Sequence, residues 1–217
     1  MKKISPFLIF FLIAAYATSQ AQITKGSLFL GGDLSLSTVN AKNANDENTI
    51  KQNSFNISPV AGIAVKDNFI AGVSLNAGFS ENRNPYQATQ KGNSFGAGVF
   101  ARHYKNIGKS GFYVFVQNSL GAGYGEQRYE QTPNINNDPR KVKTFSAYLN
   151  LYPGLSYAVS RKLHLEAGFN NLLYLNYSHD KNEYWNTATT KANRFYLGTS
   201  LNNLSSLYVG FRVLIGK

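Results

Sequence analysis

Cysteine is absent from the sequence, and methionine and tryptophan each occur once. Without thiols, the chain can form neither disulfide bonds nor thiolate metal sites. It also lacks an HExxH motif and an Asp-rich calcium loop, and its glycine-rich runs GAGVF and GAGYG lack the Lys-Ser/Thr ending of a phosphate-binding loop. We therefore predict no metal and no cofactor.

Beyond the N-terminus, no segment is apolar over the roughly 20 residues that a helical membrane span needs. Residues 1–22 carry Lys2 and Lys3, an apolar run over residues 7–17, and small residues Ser19 and Ala21 at the −3 and −1 positions of the expected cut. This pattern predicts a cleaved signal peptide, because the run is too short for a helical anchor. Residues 23–217 then form one exported domain.

Acidic residues are few, at 11 against 22 basic ones, which gives a net charge of +11. In the barrel that the strand pattern predicts, the long loops and their rim hold eleven basic and eight acidic residues, a surplus of only three positive charges. Most of the surplus positive charge of residues 23–217 therefore lies in the lumen and the short turns. No basic stripe with interleaved aromatics supports a nucleic-acid partner. Basic turns beside a membrane suit anionic lipid headgroups better.

Alternation with a period of two is abundant, and it is clearest in residues 191–217. Every second residue from Phe195 gives a mostly apolar face that includes Phe211 and Val213, while Arg212 lies on the other face. A period of two indicates a β-strand, and these two faces suit a wall between lipid and a polar lumen.

Eight segments alternate in this way, and long and short connections separate them in strict rotation. The long loops fall near residues 40–52, 81–92, 127–143 and 178–192, and the short turns near 67–68, 105–110 and 160–161. Aromatic residues gather at both ends of the apolar faces. This rhythm predicts an all-β fold, an eight-stranded antiparallel up-and-down transmembrane β-barrel with both termini on the periplasmic side.

The signal ending SQAQ, the runs NSFGAGVFARHY and NSLGAGYGEQRY, and the closing LNNLSSLYVGFRV resemble small outer-membrane barrels. These are the families grouped with OmpA-type and OmpX-type transmembrane domains, and the porin-family barrels of Bacteroidota. The resemblance implies an outer-membrane location and recognition by the β-barrel assembly machinery. Many members end on an aromatic residue, whereas this chain ends on Ile215, Gly216 and Lys217, with Phe211 the nearest substitute.

One set of polar residues occupies strand positions that face the lumen, and we predict that these residues form a charge cluster there. The set is Asp33, Lys66, Arg102, His164, Glu166 and Arg212. Such a cluster is either a structural ion-pair network or a selectivity ring. An eight-stranded interior holds little beyond side chains, which favours the structural role.

Three other functions compete with this interpretation. A lipid-modifying enzyme would need His179 beside a nucleophile such as Ser178 and an acid such as Asp180 or Glu183, but triads are defined by geometry rather than by sequence proximity. A small-solute pore is the second alternative, and a soluble ligand-binding barrel with reversed faces is the third. We expect a non-enzymatic outer-membrane protein with no catalytic residue, which contacts outer-membrane lipids and offers its polar loops to a surface ligand.

Overall fold

The computed structural model describes residues 23–42, 49–84, 88–108, 110–130, 139–169, 172–199 and 207–216. The predicted signal peptide lies outside these residues. No helix in the described ranges is long and apolar enough to cross a bilayer. The strands are β1 (Leu28–Lys42), β2 (Thr49–Lys66), β3 (Phe69–Arg83), β4 (Gln90–Ile107), β5 (Phe112–Tyr129), β6 (Pro139–Ala158), β7 (Leu163–Phe169), β8 (Leu173–Tyr184), β9 (Thr189–Gly198) and β10 (Leu207–Ile215).

These strands close into an eight-stranded antiparallel barrel, as the sequence predicts. From β1 to β6, each strand pairs with the next in sequence. Both β7 and β8 pair with β6, so together they fill the seventh position in the wall. The eighth position holds β9, which pairs with β8, and β10, which pairs with β7 and closes the barrel on β1.

The break between β7 and β8 lies opposite Pro153 of β6. Pairing of β6 stops at Leu151, opposite Leu173, and resumes at Gly154, opposite Gly168. Between these two pairs, β6 has two residues, whereas the sequence from Gly168 to Leu173 has four. Proline cannot donate a ladder hydrogen bond, which accounts for a break at this point. The mid-strand Asn203 and Ser205, where the alternation also weakens, lie outside the described residues.

Strands extend further on the loop side than the alternation predicts. The loop expected over residues 178–192 is mostly strand, and only residues 185–188 connect β8 to β9. Beyond the apolar band, both faces of a strand carry polar residues, so the period-two signal disappears although the backbone ladder continues.

Apolar side chains cover the outside of the barrel. Leu34, Val73 and Leu120 are each more than half exposed, whereas the inward-facing Phe29 and Ile70 are buried. So large an exposed apolar surface is unfavourable in water and matches a bilayer. The faces therefore define a transmembrane barrel, and a ligand-binding barrel in water would have them reversed.

Outward-facing aromatic residues mark the two ends of the apolar band. The loop-side set is Phe55, Phe79, Phe95, Tyr124, Phe145, Tyr177 and Phe195, and the turn-side set includes Phe112 and Phe211. We call the loop-side set the upper aromatic belt. Two such belts are expected where strands pass the two membrane interfaces.

The interior differs between its two halves. On the turn side it is filled by a packed core that includes Phe29, Ile70, Phe100 and Phe115. On the loop side it is lined by small polar residues around cavities of about 270 and 200 Å³. Among the described residues, the lumen thus contains cavities toward the loops and is filled toward the turns.

Candidate functional site: a buried charge cluster in the lumen

Arg102 is the centre of the polar cluster inside the turn-side half. It lies on β4 directly opposite Gln117 of β5, and its Nε donates a 2.6 Å hydrogen bond to Gln117 Oε1. Its Nη1 donates to both carboxylate oxygens of Glu166 on β7, at 2.7 and 2.8 Å. Arg102 and Glu166 are both buried. Their bond joins opposite parts of the wall through the interior.

Tyr104 supports the same carboxylate. Tyrosine and arginine are two residues apart on β4, so their side chains share the inward face. Tyr104 Oη donates to Glu166 Oε1 at 2.8 Å and accepts a 2.9 Å bond from Arg102 Nη1. Glu166 thus takes hydrogen bonds from a cation and a phenol, which offsets the cost of burying its charge.

Arg212 adds a second cation to the cluster from β10. Its Nε lies 3.3 Å from Glu166 Oε2, which is ion-pair distance, although the angle does not satisfy a hydrogen bond. Its Nη2 lies 3.7 Å from Asp33 Oδ1, and Asp33 itself is largely exposed. The two guanidinium groups and two carboxylates balance in charge.

Arg212 also lies where β1 separates from β10. The pairing of these strands runs from Leu28 to Gly31, which is opposite Arg212. One residue further on, Arg212 Nη1 donates to the Gly32 carbonyl at 3.3 Å. A side chain at Gly31 would lie 2.5 Å from Arg212 Cδ, so the glycine leaves the space that the arginine fills.

Aromatic rings enclose the Arg102 guanidinium. Its Cζ lies 4.4 Å from the ring centre of Phe115 and 5.0 Å from that of Phe29. A cation over an aromatic face is attracted by the ring quadrupole, more strongly where water is excluded. The rings therefore both fill the interior and stabilise its charge.

His164 lies beside the cluster rather than in it. Its Nδ1 is 3.1 Å from Ser156 Oγ, and both residues are buried. Its Nε2 has no hydrogen-bond partner among the described residues. A buried Ser-His contact without access for a substrate provides no reactive nucleophile.

Lys66 does not join the other predicted cluster residues. The β2 register shifts between Ala64 and Lys66, so that Lys66 pairs with Phe69 where regular pairing would place Val65. Because of this bulge, the side chain of Lys66 points outward, as that of Phe69 does, and it is exposed at the turn-side rim.

Two residues that were not predicted complete the network, Tyr104 and Gln117, and a third, Ser156, contacts the neighbouring His164. Gln117 also donates to Ser119 Oγ at 3.0 Å and to the hydroxyl of Tyr152. The alternation in the sequence places all three on the side of their strands that faces the lumen, and this position was the only sign in the sequence that could have identified them. Which of the inward residues meet depends on the register between strands, which the alternation does not fix.

The residues considered for a lipid-modifying site separate to opposite faces of β8. His179 bonds Asn193 Oδ1 at 2.7 Å. Asp180 is buried on the inward face, where it accepts a 2.7 Å bond from Thr144 Oγ1 and pairs with Arg194 at 3.2 Å. Neighbouring residues of a strand point in opposite directions, so these two side chains do not converge.

Glu183 is the most strongly perturbed acid beyond the upper aromatic belt. A 2.9 Å hydrogen bond from Lys181 has the largest effect and, although burial opposes it, lowers the pKa of Glu183 from the ordinary 4.5 to about 2, with Lys143 contributing in the same direction. The carboxylate is therefore ionised at any physiological pH.

The fold and the distribution of its faces define the class of protein, a small transmembrane β-barrel with a partly filled lumen. No protein-family model matches the chain, and no curated protein sequence matches it. Among solved structures, it is similar to the crystal structure of Neisserial surface protein A, with a TM-score of 0.37 and 16% identity over 86% of this chain and 93% of that one.

Proposed function

We propose that the chain is an integral outer-membrane protein without enzymatic activity, which acts through its barrel and loops while its lumen stays closed. The observation that carries this proposal is the buried cluster of Arg102, Glu166 and Arg212 within the packed turn-side half. A solute that entered from the loop side would meet this cluster before the far end.

Closure follows from the energetics of the cluster. Arg102 and Glu166 have almost no solvent exposure and are held by several hydrogen bonds. Separating the two without bringing in water leaves uncompensated buried charge, which costs several kcal/mol, on the order of 3–5. Thermal motion therefore opens such a path rarely.

The outer membrane is the proposed location because helical spans are absent from the described residues and the strands carry the apolar surface. Strands that close into a ring can pair their backbone groups with one another in lipid, and β10 closes this ring on the turn side by pairing with both β1 and β7. The proposal includes the predicted signal peptide, insertion by the β-barrel assembly machinery, and the finer family resemblance to OmpA-like and Bacteroidota porin-family barrels. A surface ligand for the loops also belongs to the proposal.

Fractionation tests the membrane proposal directly. We expect the full chain, expressed in a Gram-negative host, to sediment with outer membranes and to require detergent for release. Unboiled and boiled samples should then migrate differently on a gel, because a folded barrel stays compact in detergent. Recovery in the soluble periplasmic fraction, with one migration position, would contradict the proposal.

A small-solute pore is the alternative that one observation favours. The loop-side lumen contains polar cavities lined by residues such as Ser54, Asn56 and Gln127. They would belong to a conducting path if the cluster below them opened. A lipid-modifying enzyme lacks such support, because His179 and Asp180 lie on opposite faces.

A further inference from the structure

A band of charged residues surrounds the outside of the barrel just beyond the upper aromatic belt. Each member lies an even number of positions from an exposed apolar residue of its own strand, so its side chain also points outward. The basic members are Lys42, Lys51, Arg83, Lys91, Arg128, Lys141, Lys143, Lys181 and Lys191, and the acidic members are Glu81, Glu126 and Glu183. We call these residues the basic band.

The strand register places cations of the basic band directly beside one another. Lys91 of β4 is opposite Arg128 of β5, which is opposite Lys141 of β6. Nearer the belt, Lys143 is opposite Lys181, which is opposite Lys191. Like charges at directly opposite positions of a sheet repel one another. An anion between them would turn this repulsion into attraction.

The acids of the band do not balance these cations. Glu126 is shared by Arg128 and Lys141, at 2.6 and 2.7 Å. Glu183 is likewise shared by Lys143 and Lys181. Within the described ranges, Lys42, Lys51 and Lys191 have no acidic partner in contact. Surplus positive charge thus remains at the level of the headgroups.

One groove gathers four cations, each of which also contacts a glutamate: Lys91 contacts Glu130, Arg128 and Lys141 contact Glu126, and Arg140 contacts Glu183. The groove has a volume of about 680 Å³ and is lined by Lys91, Arg128, Arg140 and Lys141, together with two glutamates and the aromatic rings of Tyr129 and Trp185. Guanidinium and ammonium groups bind phosphate oxygens with strong charge-assisted hydrogen bonds. Flat aromatic rings beside them provide apolar surface for a sugar ring or the lipid backbone.

We propose that the basic band, centred on this groove, binds phosphate groups of lipid headgroups in the leaflet on the loop side. The inference rests on the proposed function, because it requires the aromatic belt to lie at a membrane interface. The lipid chemistry is a phosphorylated headgroup whose acyl chains lie along the apolar wall below. Each cation near an anionic membrane surface adds to the attraction.

Native mass spectrometry of the folded protein in detergent tests the proposal, with lipid A that carries two phosphates and the same lipid dephosphorylated as probes. We expect the wild type to bind the phosphorylated form preferentially. A variant with Lys91→Gln, Arg128→Gln and Lys141→Gln should bind it on the order of 100-fold more weakly. The charge-matched control carries Lys105→Gln, Arg161→Gln and Lys162→Gln on the turn side, and it should retain wild-type affinity.

Two outcomes overturn the proposal. Equal binding of both lipids by the wild type would show that the apolar wall alone holds the lipid. Equal loss in both triple variants would show an effect of total charge instead of a site. Heat-modifiable migration of the same samples tests the membrane barrel separately, so a preserved shift without phosphate preference counts against the phosphate site alone.

Discussion

Arg102 and Glu166 are 64 residues apart in sequence, yet Arg102 Nη1 lies 2.7 Å from Glu166 Oε1 inside the barrel. The contact joins β4 to β7 through the interior. Because both side chains are buried, their charges depend on each other and on Tyr104, Gln117 and Arg212 for compensation. The closure of the lumen depends on this relationship.

Replacing Glu166 should therefore destabilise the barrel strongly. Glu166→Gln keeps the shape of the side chain but leaves the Arg102 and Arg212 cations without their shared anion. We expect a loss of about 3–5 kcal/mol in the free energy of unfolding, measured by urea titration in lipid vesicles. Glu126→Gln, which removes an ion-paired carboxylate near the rim, is the control and should cost about 1 kcal/mol or less. An equal loss of unfolding free energy in the two variants would show that the buried cluster stabilises the barrel no more than an ion pair at the rim does.

Close packing around Gly154 gives a second prediction. A methyl group there would lie 2.4 Å from Phe115 Cζ and 2.7 Å from the carbonyl oxygen of Ala167. The backbone oxygen cannot move aside easily, so Gly154→Ala should destabilise by about 1–3 kcal/mol. At Gly125 the nearest atom is 3.6 Å away, and Gly125→Ala should be tolerated within about 0.5 kcal/mol. Urea unfolding of the two variants measures this difference, and a tolerated Gly154→Ala would contradict the packing described.

The pKa of Glu183 should depend on Lys181. Its folded-state pKa of about 2 is below the ordinary 4.5, so its stabilising contribution is present above pH 4.5 and is lost as the pH falls toward 2. Lys181→Gln removes the hydrogen bond with the largest effect and should raise the pKa toward 4.5. Carbon NMR titration of the glutamate carboxyls measures the change. Lys191→Gln removes the same charge without a contact to Glu183, and a shift as large in this control would contradict the assignment.

Purified protein should leave lipids chemically unchanged. His179 bonds Asn193, while Asp180 faces inward to Thr144 and Arg194, so these two residues do not assemble a catalytic triad. Incubation with lipid A or phospholipid for hours should give no new mass in the lipid extract. Release of an acyl chain, lost in His179→Ala, would establish an enzymatic role instead.

Alternation alone predicted the barrel, its eight wall positions and the inward facing of Arg102, Glu166 and Arg212. The alternation predicts the facing of these side chains correctly because each strand has one face in lipid and the other in the lumen, and a shift of one residue would exchange the two faces. The same reasoning failed for Lys66, because the bulge between Ala64 and Lys66 reverses the facing at the strand end. Nothing in the sequence around Val65 marks that bulge.

The partners of each inward residue were beyond prediction for a related reason. Gln117 meets Arg102 only because β4 and β5 pair in one register, which the connection between them fixes. The basic band was not predicted, because grouping the charges by loop says nothing about the direction in which each side chain points. Facing and register, rather than loop membership, place Lys91 beside Arg128 and Lys141.

Single-channel recording in planar lipid bilayers tests the central claim, a lumen closed by the Arg102–Glu166–Arg212 cluster. If the cluster closes the lumen, the purified wild-type barrel, whose folding is verified by heat-modifiable migration, should show no stable conductance. Stable openings of the wild type whose size or ion selectivity changes in Arg102→Ala or Arg212→Ala would contradict the claim, because the cluster would then line a conducting path.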